Sequence, residues 1–482
     1  MTLESEDNGG LARFGYAQDL AREMGGFSNF ATSFSIISVL TGCLTTYGDA
    51  IGPGGPISLG LGWPLVVAGT LLVALAMAEL ASALPTAGAL YHWSSLLGGP
   101  GWGWFTAMMN LVGQVAIVAA IDFGCARELG AALGLSEGYA VHLFFGILVS
   151  HALLNGAGVR LIAKLNDLSA FVHLAGVLVI VTGLFIWGKT QPASFLFQSG
   201  TTTRTDHNVT LGFLNALLLS MYTFTGYDAS AHLSEETTHP SRRVPLGILS
   251  AVMVSAVAGY LLLAALTLAI PDAQAIGKDE HPALTILGHA FGSRLGRAAM
   301  AAAIVAMWFC GLSSLTSASR TLWAFARDGG VPWSEHFSKV HRRFLTPVAA
   351  LLAIGALSSG LVIVATALST RAFQLATQVA TAGLYVSYGL PILLSVLARR
   401  RGTFTLRGDF SLGRWSTFIG WAATIWTVFV LVVCVLPPNL PALVVLSAWI
   451  CVLLVAWFAY IRHRFSGPKV TLSSIDSLAK DR

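Results

Sequence analysis

Long apolar runs alternate with short polar stretches along the whole chain. The runs lie near residues 29–48, 62–82, 101–126, 138–157, 164–187, 210–232, 245–270, 297–325, 346–367, 372–397, 416–436 and 441–461. Each is about 20 residues or more, which is enough to cross the hydrocarbon of a bilayer as a helix. In lipid a backbone must satisfy its own polar groups, so such runs are read as helices. The pattern predicts an all-α integral membrane protein with twelve transmembrane helices. Polar ends frame them: a tail over 1–28, an extracytoplasmic loop over 188–209 and a second tail over 462–482.

Composition sharpens this picture. Only 51 of 482 residues are charged, or 11%, against about 25% in a soluble globular protein. So few charges could not cover a soluble surface of this size. The net charge of +5 takes its meaning from where the basic residues sit. With the N-terminus inside, 21 Lys and Arg fall on the inner face and 7 on the outer. That asymmetry predicts a multi-pass protein of the cell membrane with both termini cytoplasmic, and it supports an even number of spans. It gives no reason to expect nucleic acid as a partner. The first 26 residues carry Glu4, Glu6, Asp7 and Glu23 and no basic leader segment, so no cleaved signal peptide is expected. The five cysteines are scattered through apolar runs without CxxC or metal-like spacing, which predicts buried free thiols and neither a metal nor a cofactor.

Two runs are interrupted where a helix should be continuous. The first reads Ser38-Val-Leu-Thr-Gly42 and then Thr45-Thr-Tyr-Gly48; the sixth reads Tyr222-Thr-Phe-Thr-Gly-Tyr-Asp228. Glycine and β-branched residues weaken helix there, and Asp228 sets a formal charge in the middle of a span. The pairs Thr41-Gly42 and Thr225-Gly226 are 184 residues apart, an offset that accommodates two units of five spans, 29–187 and 210–397. An odd number of spans inverts the second unit relative to the first. Broken helices at matching places in inverted halves point to a transporter's midplane site. The competing explanation is ordinary glycine packing between membrane helices.

At these residues the sequence resembles the amino acid–polyamine–organocation (APC) superfamily of permeases, and within it the amino acid/choline transporter branch that includes fungal GABA and choline permeases. The matching stretches are Phe34–Gly42, Ala78–Ser94, Tyr222–Thr237 and Thr316–Pro332. The resemblance implies a leucine-transporter-type fold of 5+5 inverted repeats, with the spans in 398–461 outside that core. It implies an amino acid, GABA or choline as substrate without choosing among them.

Site candidates follow from both lines. Breaking a helix frees backbone groups, and the N-terminal end of a half-helix suits a carboxylate. The second half of the first span is expected to start near Thr41 and Gly42, whose amides, with the Thr41 hydroxyl, are the carboxylate candidates. Tyr222, Thr223, Phe224 and Thr225 occupy the break in the sixth span; the resemblance puts Phe224 where relatives carry an aromatic lid. Asp228 is read either as the partner of a substrate amine or as the N-cap of the following half-helix. Gln114 is a candidate for lining the cavity. Tyr222, Phe224, Tyr227 and Trp308 could form a cage for a quaternary amine by cation–π contact. Glu79, near the inner end of the second span, is expected to have a structural partner.

The coupling ion is read from the fifth span. Aligning Asn166-Asp167 with a similar polar pair in related exchangers puts His173 where they carry a lysine, which there bridges the first and eighth spans in place of sodium. The same resemblance puts Ser314 close to a position that helps hold sodium in sodium-coupled relatives. The expectation is therefore a secondary active transporter for an amino acid or GABA-like amino acid, working by alternating access and driven by protons through His173. Uptake of choline, another quaternary amine or a polyamine, or a substrate exchange, is the alternative. An enzyme is not expected: no GxSxG, HExxH or paired intramembrane aspartates occur.

Overall fold

A computed structural model describes residues 14–20, 22–199, 209–368 and 371–469. Glu4, Glu6 and Asp7, the end of the C-terminal tail and most of the polar end of the 188–209 loop lie outside the described residues. The principal helices, in chain order, are α1 Gly26–Ile37, α2 Val39–Thr45, α3 Gly62–Ala83, α4 Ala89–Gly98, α5 Pro100–Ala132, α6 Ala140–Gly156 and α7 Val159–Gly183. They continue with α8 Val209–Thr223, α9 Ala229–His232, α10 Pro240–Leu268, α11 Pro282–Arg327, α12 Val348–Leu368, α13 Ala372–Arg400, α14 Ser416–Val435 and α15 Leu440–Ala459. No β-strand is present among the described residues.

Among the described residues, eleven helical segments are long and apolar enough to cross a membrane. The remaining expected run, the sixth, divides into the 15-residue α8 and the 4-residue α9. The long α11 changes direction at Gly292, whose φ of 77° no helix contains, and the expected eighth span lies beyond that kink. The outer surface of α6, α7, α14 and α15 is apolar: Leu153, Phe171, Leu178, Phe418, Val444 and Val455 are all exposed. A soluble protein would bury these side chains, whereas lipid accepts them.

The centre of the bundle is formed by the interrupted helices, packed among α5, α10, α11 and α13. α7 is stitched to them by short polar side chains: Ser35 bonds Ser169 at 2.6 Å, Asn166 bonds Thr32 at 2.8 Å, and Ser313 bonds Asn166 at 2.9 Å. Membrane helices are held in just this way by hydroxyls and amides, since burial of apolar surface gives little between helices already in lipid. Glu79 has the structural role expected of it. Its carboxylate accepts from Ser416 at 2.7 Å and from the Leu412 amide at 3.0 Å, and it pairs with Arg399 at 3.3 Å.

Part of the expected N-terminal tail is built into the fold. Phe14, Tyr16, Leu20 and Met24 are buried, and Met24 exchanges backbone hydrogen bonds with Glu236 and Thr238 at 2.9 and 3.0 Å. Tyr16 and Tyr91 both donate to Asp328 Oδ2, at 2.8 and 2.9 Å, and His92 Nε2 lies 3.0 Å from the same oxygen. Burial alone would raise the Asp328 carboxyl, but His92, Arg327 and Tyr16 outweigh it and hold it below the usual carboxylate range. Arg327 pairs with Glu235 at 2.9 Å and lies over the rings of Tyr16 and Trp323. This ionic and aromatic seal closes the end of the bundle where α11 stops.

One expectation about the cysteines needs correction. Cys43, Cys125, Cys310 and Cys434 are buried free thiols, but Cys451 is exposed, because α15 turns that face outward from the bundle.

Candidate functional site

The first break is one residue wide. Ser38 takes φ 28° and ψ 82°, which ends α1, and α2 begins at Val39. The half-helix therefore starts two residues before Thr41, where it was expected. The reason is chemical: Ser38 caps α2 with its own hydroxyl. Its Oγ accepts from the Thr41 amide at 3.2 Å and lies 2.6 Å from Thr41 Oγ1, and its carbonyl accepts from the Gly42 amide at 2.9 Å. The amides predicted to be free for a carboxylate are thus occupied by Ser38.

The second break spans Phe224 to Asp228 and depends on Gly226, at φ 92°. The two breaks press together. A methyl group at Gly42 would fall 2.2 Å from Thr223 Oγ1, and one at Gly226 would fall 2.1 Å from Ile36 Cγ2. A small cavity lies between them, lined by Ile36, Ile37, Thr41, Gly42, Ile117, Ile121, Tyr222, Thr223, Thr225 and Cys310. Thr223 and Thr225 turn their hydroxyls back to the carbonyls of Leu219 and Tyr222. The Tyr222 hydroxyl is buried with no hydrogen-bond partner among the described residues.

Thr41, Gly42, Tyr222, Thr223 and Thr225 of the expected site therefore meet at one cavity. Phe224, Tyr227 and Trp308 do not. Phe224 packs on Trp63 at 4.7 Å between centroids, Tyr227 on Tyr388 at 5.1 Å, and Trp308 on His151 at 5.1 Å. The expected four-membered aromatic cage is not formed, because Phe224, Tyr227 and Trp308 each pack on a separate partner away from Tyr222.

Asp228 is fully buried beside the cavity without lining it. It sits at the N-cap position of α9, yet its side chain makes no capping bond, which corrects the capping alternative. Its carboxylate instead meets four side chains: Tyr388 at 2.8 Å, His232 at 3.2 Å, Asn110 at 3.3 Å and Gln114 at 3.5 Å. Gln114 thus faces Asp228 and not the cavity. Tyr388 bridges further, since its oxygen also accepts from the Gly226 amide at 3.1 Å. The donors around this buried carboxylate satisfy its oxygens without a Lys or Arg partner among the described residues. Asn110, His232, Tyr388 and Ser38 were not identified as site residues from sequence. His232 stands four residues after Asp228, a spacing that puts both on one helical face, so that signal was available.

His173 reaches the first break. Its Nε2 lies 2.7 Å from Ser38 Oγ and its Nδ1 2.8 Å from the Ser169 carbonyl. That carbonyl can only accept, so Nδ1 carries a proton and Nε2 faces the Ser38 hydroxyl. Ser314 donates to the Cys310 carbonyl at 2.8 Å on its own helix, and not to His173. Among the described residues no group of three or more His, Cys, Asp or Glu side chains is placed to hold a metal ion.

The fold and the site define a polytopic helical membrane protein with two interrupted helices crossing at a central cavity. The sequence profile described as amino acid permease matches residues 25–458, and the chain belongs to that family, within the APC superfamily. Its similar proteins include the amino-acid permease BAT1 of Arabidopsis thaliana, 36% identical with 95% of each chain covered. A BAT1 homolog from Oryza sativa is 35% identical over 96% of this chain and 95% of its own. The GABA-specific permease of Saccharomyces cerevisiae is 28% identical over 90% of this chain and 79% of its own. The chain is thus a transporter of the amino acid permease family and not an enzyme.

Proposed function

We propose that this protein is a secondary active transporter that imports an amino acid or a GABA-like amino acid across the plasma membrane by alternating access, coupled to protons through His173. In this reading it has twelve spans, a 5+5 inverted repeat and cytoplasmic termini. The observation that carries it is the hydrogen-bonded line His173–Ser38–Thr41, which ends at the cavity between the two breaks.

That line explains how substrate and proton would favour each other. With His173 neutral at Nε2, the Ser38 hydroxyl donates to the ring. A proton arriving at Nε2 makes the ring a donor, and the Ser38 hydroxyl then turns to Thr41. A substrate carboxylate replacing Ser38 Oγ at the Thr41 amide and hydroxyl takes over the capping of α2, where the helix end favours an anion. Ser38 Oγ, released from those donors, becomes the better acceptor for a protonated His173. Proton and carboxylate each make the other's binding easier, as symport requires. The substrate amine would lie toward the second break, with the Tyr222 hydroxyl unpartnered and the Asp228 charge behind it.

An amino acid fits better than a quaternary amine. A carboxylate has the start of α2 to meet, while choline has no carboxylate and the four aromatics that would cage it are dispersed. The Saccharomyces cerevisiae relative named a GABA-specific permease adds GABA to the candidates. A thermal-shift screen of the purified chain tests this choice. A ligand at about a hundredfold its Kd adds about 2.7 kcal/mol to stability. Stabilisation is expected with amino acids or GABA and not with choline or polyamines; the reverse pattern would overturn the assignment.

A further inference from the structure

Behind the cavity wall lies a titratable pair for which the reading above has no use. Asp122 on α5 and His151 on α6 are both fully buried, with His151 Nδ1 3.2 Å from Asp122 Oδ2. Their position is set by their neighbours in sequence. Ile121 and Cys310 line the cavity. Asp122 and Gly311, the next residues, meet behind it so closely that a methyl at Gly311 would lie 1.9 Å from Asp122 Oδ1 and 2.6 Å from His151 Cε1. Trp308 covers the His151 ring and donates to Ser150 at 2.9 Å.

Among the described residues, the two fully buried intramembrane aspartates differ in their partners. Asp228 has four side-chain partners. Asp122 has His151 alone, and both Asp122 Oδ1 and His151 Nε2 are buried without a hydrogen-bond partner among the described residues. Each of these outer atoms is open to a further hydrogen bond once water reaches it. One proton makes the pair neutral overall, whichever partner carries it. Without that proton a net negative charge is left in apolar surroundings with a single hydrogen bond, which is costly until water enters.

Among the described residues the surroundings offer no other compensating cation. Cys125 and Glu128 on α5, Cys310 on α11 and Tyr222 on α8 lie within electrostatic range of the pair or of one another. α12, which packs on α5 and α6, contributes no ionisable side chain. On the neighbouring helices His173 is turned to Ser38, Tyr388 to Asp228, and Arg127 to Glu137 at 3.2 Å. Glu128 stands six residues, or about 9 Å of helix, beyond Asp122. Glu128 Oε1 lies 3.0 Å from Nδ1 of the partly exposed His281, and its Oε2 is unpartnered. This end of α5 is opposite the seal around Asp328.

We propose that Asp122 and His151 hold one exchangeable proton and form a second proton site of this transporter, separate from His173 and loaded by way of His281 and Glu128. The proposal rests on the proton-driven reading above. The proton comes from the water on the His281 side, where the hydrogen bond that the Glu128 carboxylate accepts raises the affinity of His281 for it. It is released when the opposite face opens.

The test uses the full chain in proteoliposomes, with the membrane potential clamped by potassium and valinomycin and a pH gradient of one unit. The probe is a 14C-labelled mixture of the protein amino acids and GABA. One proton per substrate supports about tenfold accumulation at this gradient and two support about a hundredfold. Wild type should approach the higher limit. Asp122→Asn, which keeps the shape and an acceptor for His151, should fall to about tenfold, while counterflow of the probe persists because it needs no net proton movement. His151→Gln should do the same, and it decides the matter should Asp122→Asn fail to assemble. Accumulation by Asp122→Asn equal to wild type overturns the second site and leaves the His173 reading standing. Loss of counterflow together with accumulation in both variants also overturns it, since the pair would then be structural. A wild type that accumulates nothing under the gradient overturns the proton-driven reading and the second site with it.

Discussion

The two breaks solve one problem in different ways. The first is a single residue, Ser38, and is closed from within: the Ser38 hydroxyl and carbonyl satisfy the Thr41 and Gly42 amides. The second is five residues long and is held from outside. Tyr388 on α13 grips both the Gly226 amide and Asp228, and Asn110 and Gln114 on α5 complete the grip. A local cap survives when neighbouring helices move. A break held by two distant helices does not, so displacement of α5 and α13 would undo the second break and leave the first intact. The first break therefore suits ligand and proton binding, and the second suits responding to them.

The contrast can be broken most severely where the breaks touch. Gly42→Ala sets a methyl 2.2 Å from Thr223 Oγ1, in a place where backbone and a short branched side chain leave no slack. Overpacking of this kind costs about 1–3 kcal/mol, and near-complete loss of uptake is expected at normal membrane levels. Retained uptake would mean that the breaks are not in functional contact. Next in size is Tyr388→Phe, which removes both bonds across the second break. A bond to a charged group is worth about 1.5–3 kcal/mol, so a lowered Tm and an impaired transport cycle are expected, with substrate affinity less affected.

Ser38→Ala should act at the first break with a smaller structural cost, about 1 kcal/mol for a lost cap. Its sharper signature is a flattened pH dependence of uptake, because His173 loses its link to Thr41. An unchanged pH profile would separate His173 from the substrate. The smallest effect concerns the seal around Asp328. Its carboxyl is held below the usual range, so the seal's contribution is complete above the ordinary carboxylate pKa and is lost as pH falls through the lowered value. Hydrogen exchange over residues 14–20 should therefore rise only in acid, and Asp328→Asn should reproduce the acid behaviour at neutral pH.

Much of this was legible in the chain. Hydropathy located eleven of the expected spans among the described residues because lipid demands continuous apolar helix, and Thr225-Gly226 marked the second break, whereas Thr41-Gly42 lies inside α2, just past the first. The exact start of α2 was not legible: nothing in composition distinguishes a serine that adopts a left-handed φ from the threonine three residues on. The convergence of Thr41, Gly42, Tyr222, Thr223 and Thr225 followed from local pattern. The partners of Asp228 did not, because Asn110 and Tyr388 are brought in by helix packing over more than a hundred residues of sequence. The aromatic cage failed for a related reason. Spacing brings aromatic residues near a break, but packing decides which way each ring turns.

At the heart of the proposed mechanism, a proton at His173 and a substrate at the first break favour each other. Its most direct test is initial uptake of the labelled amino acids and GABA in sodium-free proteoliposomes, with and without an inside-alkaline gradient, for wild type and His173→Ala. The gradient should accelerate wild-type uptake without sodium and accelerate the variant distinctly less; strict sodium dependence of the wild type, or a variant driven as strongly as the wild type, would contradict it.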